Sequence, residues 1–216
     1  LRKASCIRVV SERIKHSLEP LHLRATISVL PIYIDIERVR AATPANREEF
    51  SQFSKFVLVA SRLEPEKNVA AALRAMKDIL KEFPNGGLLI AGSGSQKPML
   101  EQLSCELGIE KNVMFLGHRT NIFSLYKIAD VVLNASWYEG YGASIVEALA
   151  AGVPVVSTDV GVAGEAGAVV AAEGELGDNL IEVLKSGERG HLELNLLSED
   201  EYFKKYKNAL LACVSH

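Results

Sequence analysis

From Phe56 to Ala171 the chain alternates short, continuously apolar runs with longer stretches in which apolar residues recur every three or four positions. The runs are Phe56-Val57-Leu58-Val59-Ala60, Leu88-Leu89-Ile90-Ala91, Val113-Met114-Phe115-Leu116, Val131-Val132-Leu133 and Pro154-Val155-Val156-Ser157, with Ala168-Val169-Val170-Ala171 as a sixth. Apolar runs without polar alternation suit parallel strands covered by helices on both faces. Val69, Leu73, Met76, Leu80 and Phe83 form one stripe of a helix from Asn68 to Phe83, which Pro84-Asn85-Gly86-Gly87 stops. Leu100, Leu103 and Leu107 mark a second helix ending at Gly108, and Ala143 to Ala151 a third, stopped by Gly152 and Pro154. The tail predicts two more, Leu176 to Leu184 and Ser198 to Ala212. Strands and helices alternating at roughly 20 to 30 residues predict an α/β fold, a doubly wound, Rossmann-like parallel sheet with helices on both faces.

Residues 1–50 leave this rhythm. They predict a strand at Ile7 to Val10, a helix from Ser11, a strand at Ile27 to Leu30, and then polar sequence without pattern. Arg40 to Ser54, with Thr43-Pro44-Ala45-Asn46, reads as a linker into the main domain. The first residue is Leu1 rather than Met, so the expectation is that something upstream has been cut away.

The 216 residues are 48% hydrophobic and 24% charged, which indicates a globular protein with a substantial core. Lys and Arg total 24 against 27 Asp and Glu, a net charge of -3, so the basic surplus that grips nucleic-acid phosphates is absent and no nucleic-acid partner is expected. Cys6, Cys105 and Cys213 are widely spaced and form no C-x-x-C, so neither a disulfide framework nor a zinc knuckle is expected. With no long apolar run and no signal-peptide core at Leu1 to Ser5, the expected location is the cytoplasm, with peripheral membrane association left open for the full-length protein. The sequon Asn134-Ala135-Ser136 then carries no meaning.

Three stretches carry candidate chemistry. Gly92-Ser93-Gly94 lies between a strand and a helix, but Lys97 stands where a dinucleotide fingerprint has its third glycine, so a plain tight turn and a ligand loop both fit. Ser61-Arg62-Leu63-Glu64-Pro65-Glu66-Lys67-Asn68 follows the first strand of the main domain, at the edge where doubly wound sheets bind ligands. Arg62 and Lys67 there either converge on a diphosphate or stand solvated beside Glu64 and Glu66. In Glu139-Gly140-Tyr141-Gly142-Ala143-Ser144-Ile145-Val146-Glu147, two glycines precede a helix whose first amides suit phosphate oxygens. Glu139 and Glu147 can face one cleft, and a carboxylate fits a vicinal diol; a helix cap with surface charges is the alternative. His16, His22, His118, His191 and His216 show no metal spacing, and neither G-x-S-x-G nor D-x-D occurs. Trp137 and Tyr138 read as packing residues beside the cleft.

The ordered segments SRLEPEKN, IAGSGS, VMFLGH and ADVVLNASWYEGYGASIVEALAAGVPVV resemble the carboxy-terminal domain of the group 1 (family 4) retaining glycosyltransferases of the GT-B fold, over about residues 53–185. VVSERIKHSL and ISVLPIYIDIERV resemble the end of that family's amino-terminal domain and its interdomain crossing. The resemblance implies that residues 1–50 are an amino-terminal remnant with the linker, and that residues 51–216 form a donor-binding domain for a nucleoside-diphosphate sugar. Carried over, Arg62 and Lys67 would hold the diphosphate and stabilise the leaving charge. Glu147 would take the ribose hydroxyls, Glu139 those of the sugar, and the amides of Tyr141, Gly142, Ala143 and Ser144 the sugar and phosphates. Gly117, His118 and Arg119 would meet the base, with Gly92 and Ser93 nearby. No cofactor and no metal are implied, and the acceptor, whether glycan, lipid or small molecule, is not readable. The pattern departs from the family at Ile32-Tyr33-Ile34-Asp35, at Ala60-Ser61 where Gly is common, and at Gly161-Val162-Ala163-Gly164-Glu165. Rival readings are an NAD-dependent oxidoreductase, a donor-binding subunit of a two-chain transferase, and an epimerase of the same two-domain layout.

Overall fold

The computed structural model describes residues 4–214; His216 lies outside them. Two short parallel strands, β1 (Cys6–Val9) and β2 (Thr26–Val29), pair in a sheet of their own. Helix α1 (Glu12–Leu18) connects them, and the Ser11 hydroxyl caps it by accepting from the Ile14 amide at 3.3 Å.

The sequence reading left 31–54 without structure. Instead Asp35 accepts from the Arg38 amide at 2.9 Å and starts α2 (Ile36–Ala41), which buries Val39. A helix this short offers too few apolar positions to show a stripe. Phe50 and Phe53, inside the stretch read as linker, are also buried.

The main sheet follows. Its strands are β3 (Lys55–Ala60), β4 (Gly86–Ala91), β5 (Val113–Gly117), β6 (Val131–Asn134), β7 (Val155–Ser157) and β8 (Val169–Val170). All pair in parallel, in the order β5-β4-β3-β6-β7-β8. This is the doubly wound order, and the direction of winding reverses between β3 and β6. The intervening helices are α3 (Val69–Glu82), α4 (Lys97–Glu106), α5 (Ile122–Tyr126), α6 (Ala143–Ala150), α7 (Ala163–Ala166) and α8 (Leu176–Ser186). α5 and α7 were not foreseen, being about one turn each.

Successive strand residues face opposite layers, as the pleat dictates. Phe56, Leu58, Leu89 and Val132 pack with α2, α5, α6 and α7, whereas Val57, Val59, Leu88 and Ile90 pack with α3, α4 and α8. Both layers are dry, so the runs had to be apolar throughout. On α3, burying Val69, Leu73, Met76 and Ile79 contributes about 1.5 to 3 kcal/mol each, which anchors the loop entering that helix.

The last helix, α9 (Glu199–Val214), returns to the small sheet. Arg8 donates to the Tyr202 hydroxyl at 3.4 Å and lies 5.0 Å from the Tyr206 ring centre; the Tyr33 and Tyr202 rings meet at a tilt of 44° with centres 5.5 Å apart. Cys6 and Cys213 are joined as a disulfide, with Cα atoms 5.7 Å apart and a separation of 207 positions in sequence. This corrects the expectation of no disulfide: counting local spacings does not register a first strand meeting a last helix. Cys105 is free and exposed. Among the described residues no helix is long and apolar enough to cross a membrane.

Candidate functional site

The carboxyl ends of β3, β4, β5 and β6 open onto one cleft of about 240 Å³, bordered by Ser61, Arg62, Gly92, His118, Arg119 and Glu147, with Ser93 and Ser144 on its rim. Four loops build it. The loop after β3 is braced against the loop after β4: the Leu63 amide donates to the Ser93 carbonyl and the Gln96 amide to the Leu63 carbonyl, both at 2.9 Å. Glu64 accepts from the Ser95 hydroxyl at 2.6 Å and its amide at 3.0 Å, and these bonds hold its carboxyl below the usual range. Gly92 has φ +154°, and a Cβ there would stand 1.8 Å from the Ser61 carbonyl oxygen. The glycine is therefore needed for loop contact, whatever else the loop does.

Arg62 is exposed and pairs with Glu66 at 2.7 Å. In water such a pair is weak, so the guanidinium can be redirected at small cost. Lys67 turns elsewhere. Its ammonium meets Glu139 Oε1 at 2.7 Å, with the two side chains only 14% and 15% exposed. The same oxygen accepts from Ser136 Oγ at 2.9 Å and Asn134 Nδ2 at 3.3 Å. Asn134 is fixed in turn by the Ser136 amide, which donates to its Oδ1 at 3.0 Å. Glu139 thus sits in a socket of three donors, and Oε2 carries none of these bonds.

Gly142, at φ +88°, turns the chain into α6. The first amides of that helix lack intrahelical acceptors. Ala143 is half-buried, and the Tyr141 side chain is buried in the core while its carbonyl accepts from the Val162 amide at 2.9 Å. One turn on, Glu147 reaches the cleft from a largely desolvated position, and burial pushes its carboxyl up from 4.5 to about 7. Beneath it the fully buried Tyr126 phenol is raised, by burial first and by Glu147 second, and stays protonated.

The structure brings Arg62, Gly92, Ser93, His118, Arg119, Ser144 and Glu147 to one cavity. Gly117, at φ +70°, ends β5 beside His118. Lys67 lies behind this cavity, sharing with Ser61 and Ser144 a void of about 10 Å³, the space of one water. Glu147 lines the cleft, whereas Glu139, paired with Lys67, lines neither space. Three features escaped the sequence reading of the site. Ser61 Oγ is buried at the cleft without a hydrogen-bond partner, and its only signal was a serine where glycine is common. The Asn134–Ser136 socket gave no signal beyond a chance sequon. Contacts from the amino-terminal segment, in which Ser11 donates to the Gly140 carbonyl at 3.2 Å and Arg13 pairs with Asp159, gave none. Trp137 and Tyr138 are each 64% exposed, not packed as expected. Among the described residues no three His, Cys, Asp or Glu side chains are grouped for a metal ion.

The family model described as glycosyl transferases group 1 matches residues 44–190. An uncharacterized glycosyltransferase of Methanocaldococcus jannaschii, MJ1607, is 43% identical over 109 residues, 50% of this chain and 28% of that protein. The alpha-monoglucosyldiacylglycerol synthase of Acholeplasma laidlawii is 32% identical over 149 residues, 67% of this chain and 37% of the enzyme. Among solved structures, Anabaena Alr3699/HepE in complex with UDP-glucose superposes with TM-score 0.73 at 26% identity, over 85% of this chain and 54% of that one. The sucrose-phosphate synthase of Thermosynechococcus elongatus matches in fold, with TM-score 0.74 over 100% of this chain and 60% of its own. The chain thus spans about a third of the length of these curated relatives.

Proposed function

The chain belongs to the group 1 glycosyl transferases, and we propose that its cleft binds the nucleoside-diphosphate part of a sugar donor for retaining glycosyl transfer. One observation carries the reading: a half-buried carboxylate, an arginine with a weak partner and a free helix amino end converge at the point where the winding of the sheet reverses. That set suits a ribose diol, a diphosphate and the link between them. HepE, similar over the same elements, was solved with UDP-glucose.

Glu147 accepts both ribose hydroxyls once ionised. Arg62 leaves Glu66 to form a fork with the diphosphate. Lys67 keeps one N–H on Glu139 and turns its other two to phosphate oxygens. As the glycosidic bond breaks, negative charge grows on the leaving phosphate, where Arg62, Lys67 and the amides of Gly142, Ala143 and Ser144 stabilise it. Glu139 Oε2 takes a hydroxyl of the sugar, with the backbone at Tyr141 alongside, while Gly117, His118 and Arg119 border the base and Gly92 with Ser93 closes the far wall. The acceptor attacks on the face that the leaving phosphate vacates, so configuration is retained. Residues 51–216 form the donor domain in this reading, and 1–50 belong with an amino-terminal half that positions the acceptor.

The test is calorimetric titration of the chain with UDP, GDP, ADP and NAD. Saturable binding of at least one nucleoside diphosphate, tighter than NAD, is expected. Tighter binding of NAD than of every diphosphate would overturn the proposal in favour of an oxidoreductase.

A further inference from the structure

Across the Glu64–Asn68 turn from the donor cleft lies a second cavity of about 330 Å³, at the small end of the range for small-molecule pockets. Its wall is Trp137, the only tryptophan in the chain and 64% exposed. An exposed indole is ordinarily free to turn; this one is clamped. Its Nε1 donates to Glu173 Oε2 at 3.2 Å, and its backbone amide donates to the Glu66 carbonyl at 2.9 Å. Asn68, itself buried, donates to the same Glu173 oxygen at 3.0 Å, so the clamp is tied to the start of α3.

The rest of the lining mixes apolar residues with polar ones. Arg74 comes from α3 and Gln96 from the amino end of α4, while the exposed Met99 adds a second apolar surface. The combination is a hydrogen-bonded aromatic face that shares one cavity with planar hydrogen-bonding groups. A pyranose presents the complementary pair, a C–H face that packs on the electron-rich face of an indole and a rim of vicinal hydroxyls that guanidinium, amide and carboxylate groups engage two at a time. A phosphate would leave the indole unused, and a purely apolar ligand would leave Arg74 and Gln96 unused.

We propose that this cavity is a carbohydrate subsite, separate from the donor cleft, which takes one pyranose unit of a glycan by stacking on Trp137 with hydrogen bonds from Arg74 and Gln96. The choice of a glycan, as against another polyhydroxylated ring, rests on the glycosyl-transfer reading. Glu173 acts as a positioning residue, holding the indole ring.

Because Trp137 is the sole tryptophan, its fluorescence reports on the site directly. The full chain is titrated with maltotriose, cellotriose and mannotriose, and separately with UDP by calorimetry. The expected result is a saturable fluorescence change with at least one trisaccharide at millimolar concentration or below, unaffected by saturating UDP. Arg74→Ala, which leaves the fluorophore intact, should weaken that binding about tenfold. Glu173→Ala should weaken it and raise the rotational freedom of the indole in anisotropy decay, whereas Tyr138→Ala should change neither. Absence of saturable binding by any of the three trisaccharides overturns the proposal, as does competition by UDP or an equal loss in Tyr138→Ala. If UDP binds and the sugars do not, only the subsite fails; if the sugars bind and no nucleotide does, the donor reading fails instead.

Discussion

Replacing Glu147 by glutamine should stabilise the fold and weaken the donor at the same time. Burial lifts the carboxyl from 4.5 in the unfolded chain to about 7 in the folded one. Between those values the folded protein holds a proton that the unfolded chain has released, so Glu147 lends stability fully below pH 4.5 and loses it as pH rises through 7. With the charge forced on it at pH 8, the site carries a penalty of at most roughly 3 kcal/mol, and about 1 to 3 after allowing for its partial contact with solvent. Glutamine has the same shape and no charge to desolvate. Glu147→Gln should therefore melt several degrees higher than the parent at pH 8 and show little difference at pH 4. The nucleotide sees the opposite. Losing a charge-assisted acceptor for the ribose diol costs about 1.5 to 3 kcal/mol, or roughly ten- to a hundredfold in Kd. Because only ionised Glu147 accepts the diol, parent affinity should also fall about tenfold between pH 8 and pH 6, a slope that the variant lacks. Subtracting the variant's profile removes ionisation of the diphosphate itself. Calorimetry and thermal melts over this range decide the matter. A variant no more stable at pH 8, with undiminished affinity for every nucleoside diphosphate, refutes both the burial argument and the ribose role.

The parent should bind diphosphate better than monophosphate and monophosphate better than nucleoside, and Arg62→Ala should flatten that series while shifting stability by less than about 1 kcal/mol, since its partner Glu66 is in water; equal affinities in the parent would count against a phosphate-centred site. Donor binding should persist in excess EDTA, because the sequence offers no D-x-D pair to hold a divalent ion; loss of binding with chelator would show that an ion is required. The 216-residue chain should bind donor without useful transfer, since placing the two reactants together supplies roughly 7 to 11 kcal/mol of barrier reduction; robust transfer by the chain alone contradicts the division of labour proposed here. Gly92→Ala should lower the melting temperature and donor affinity together, because its methyl group meets the Ser61 carbonyl at 1.8 Å; an unchanged melt would mean that the loop yields freely.

Strands β3, β4, β6 and β7 were legible because parallel strands buried on both faces have to be apolar throughout, and α3 because fourteen residues give a stripe time to repeat. α2, α5 and α7 were not, since a turn or two of helix leaves no period to detect. Within the site, Arg62, His118, Arg119 and Glu147 could be placed at one edge from their position after strands. The Lys67–Glu139 contact spans 72 residues and depends on Ser136 and Asn134, whose side chains point inward only because β6 ends where it does. Spacing along the chain carries no information about that. The Cys6–Cys213 pairing was hidden for the same reason, as it depends on the last helix meeting the first strand.

That return of α9 orders events in time as well as in space. Apart from β3 with β6, where Val57 meets Val131, the pairings of the main sheet join partners about thirty residues apart or fewer, so closing those loops costs little entropy and they can form early. Arg8 and Tyr202 are 194 positions apart, and nothing brings them together until the six-stranded sheet has gathered the chain between. The docking of α9 on the small sheet is therefore expected to form last and open first, and hydrogen exchange should find amides of α9 exchanging through a cheaper opening than those of β3 and β4. A rise of denaturant too mild to disturb the donor cleft would release α9 from the small sheet.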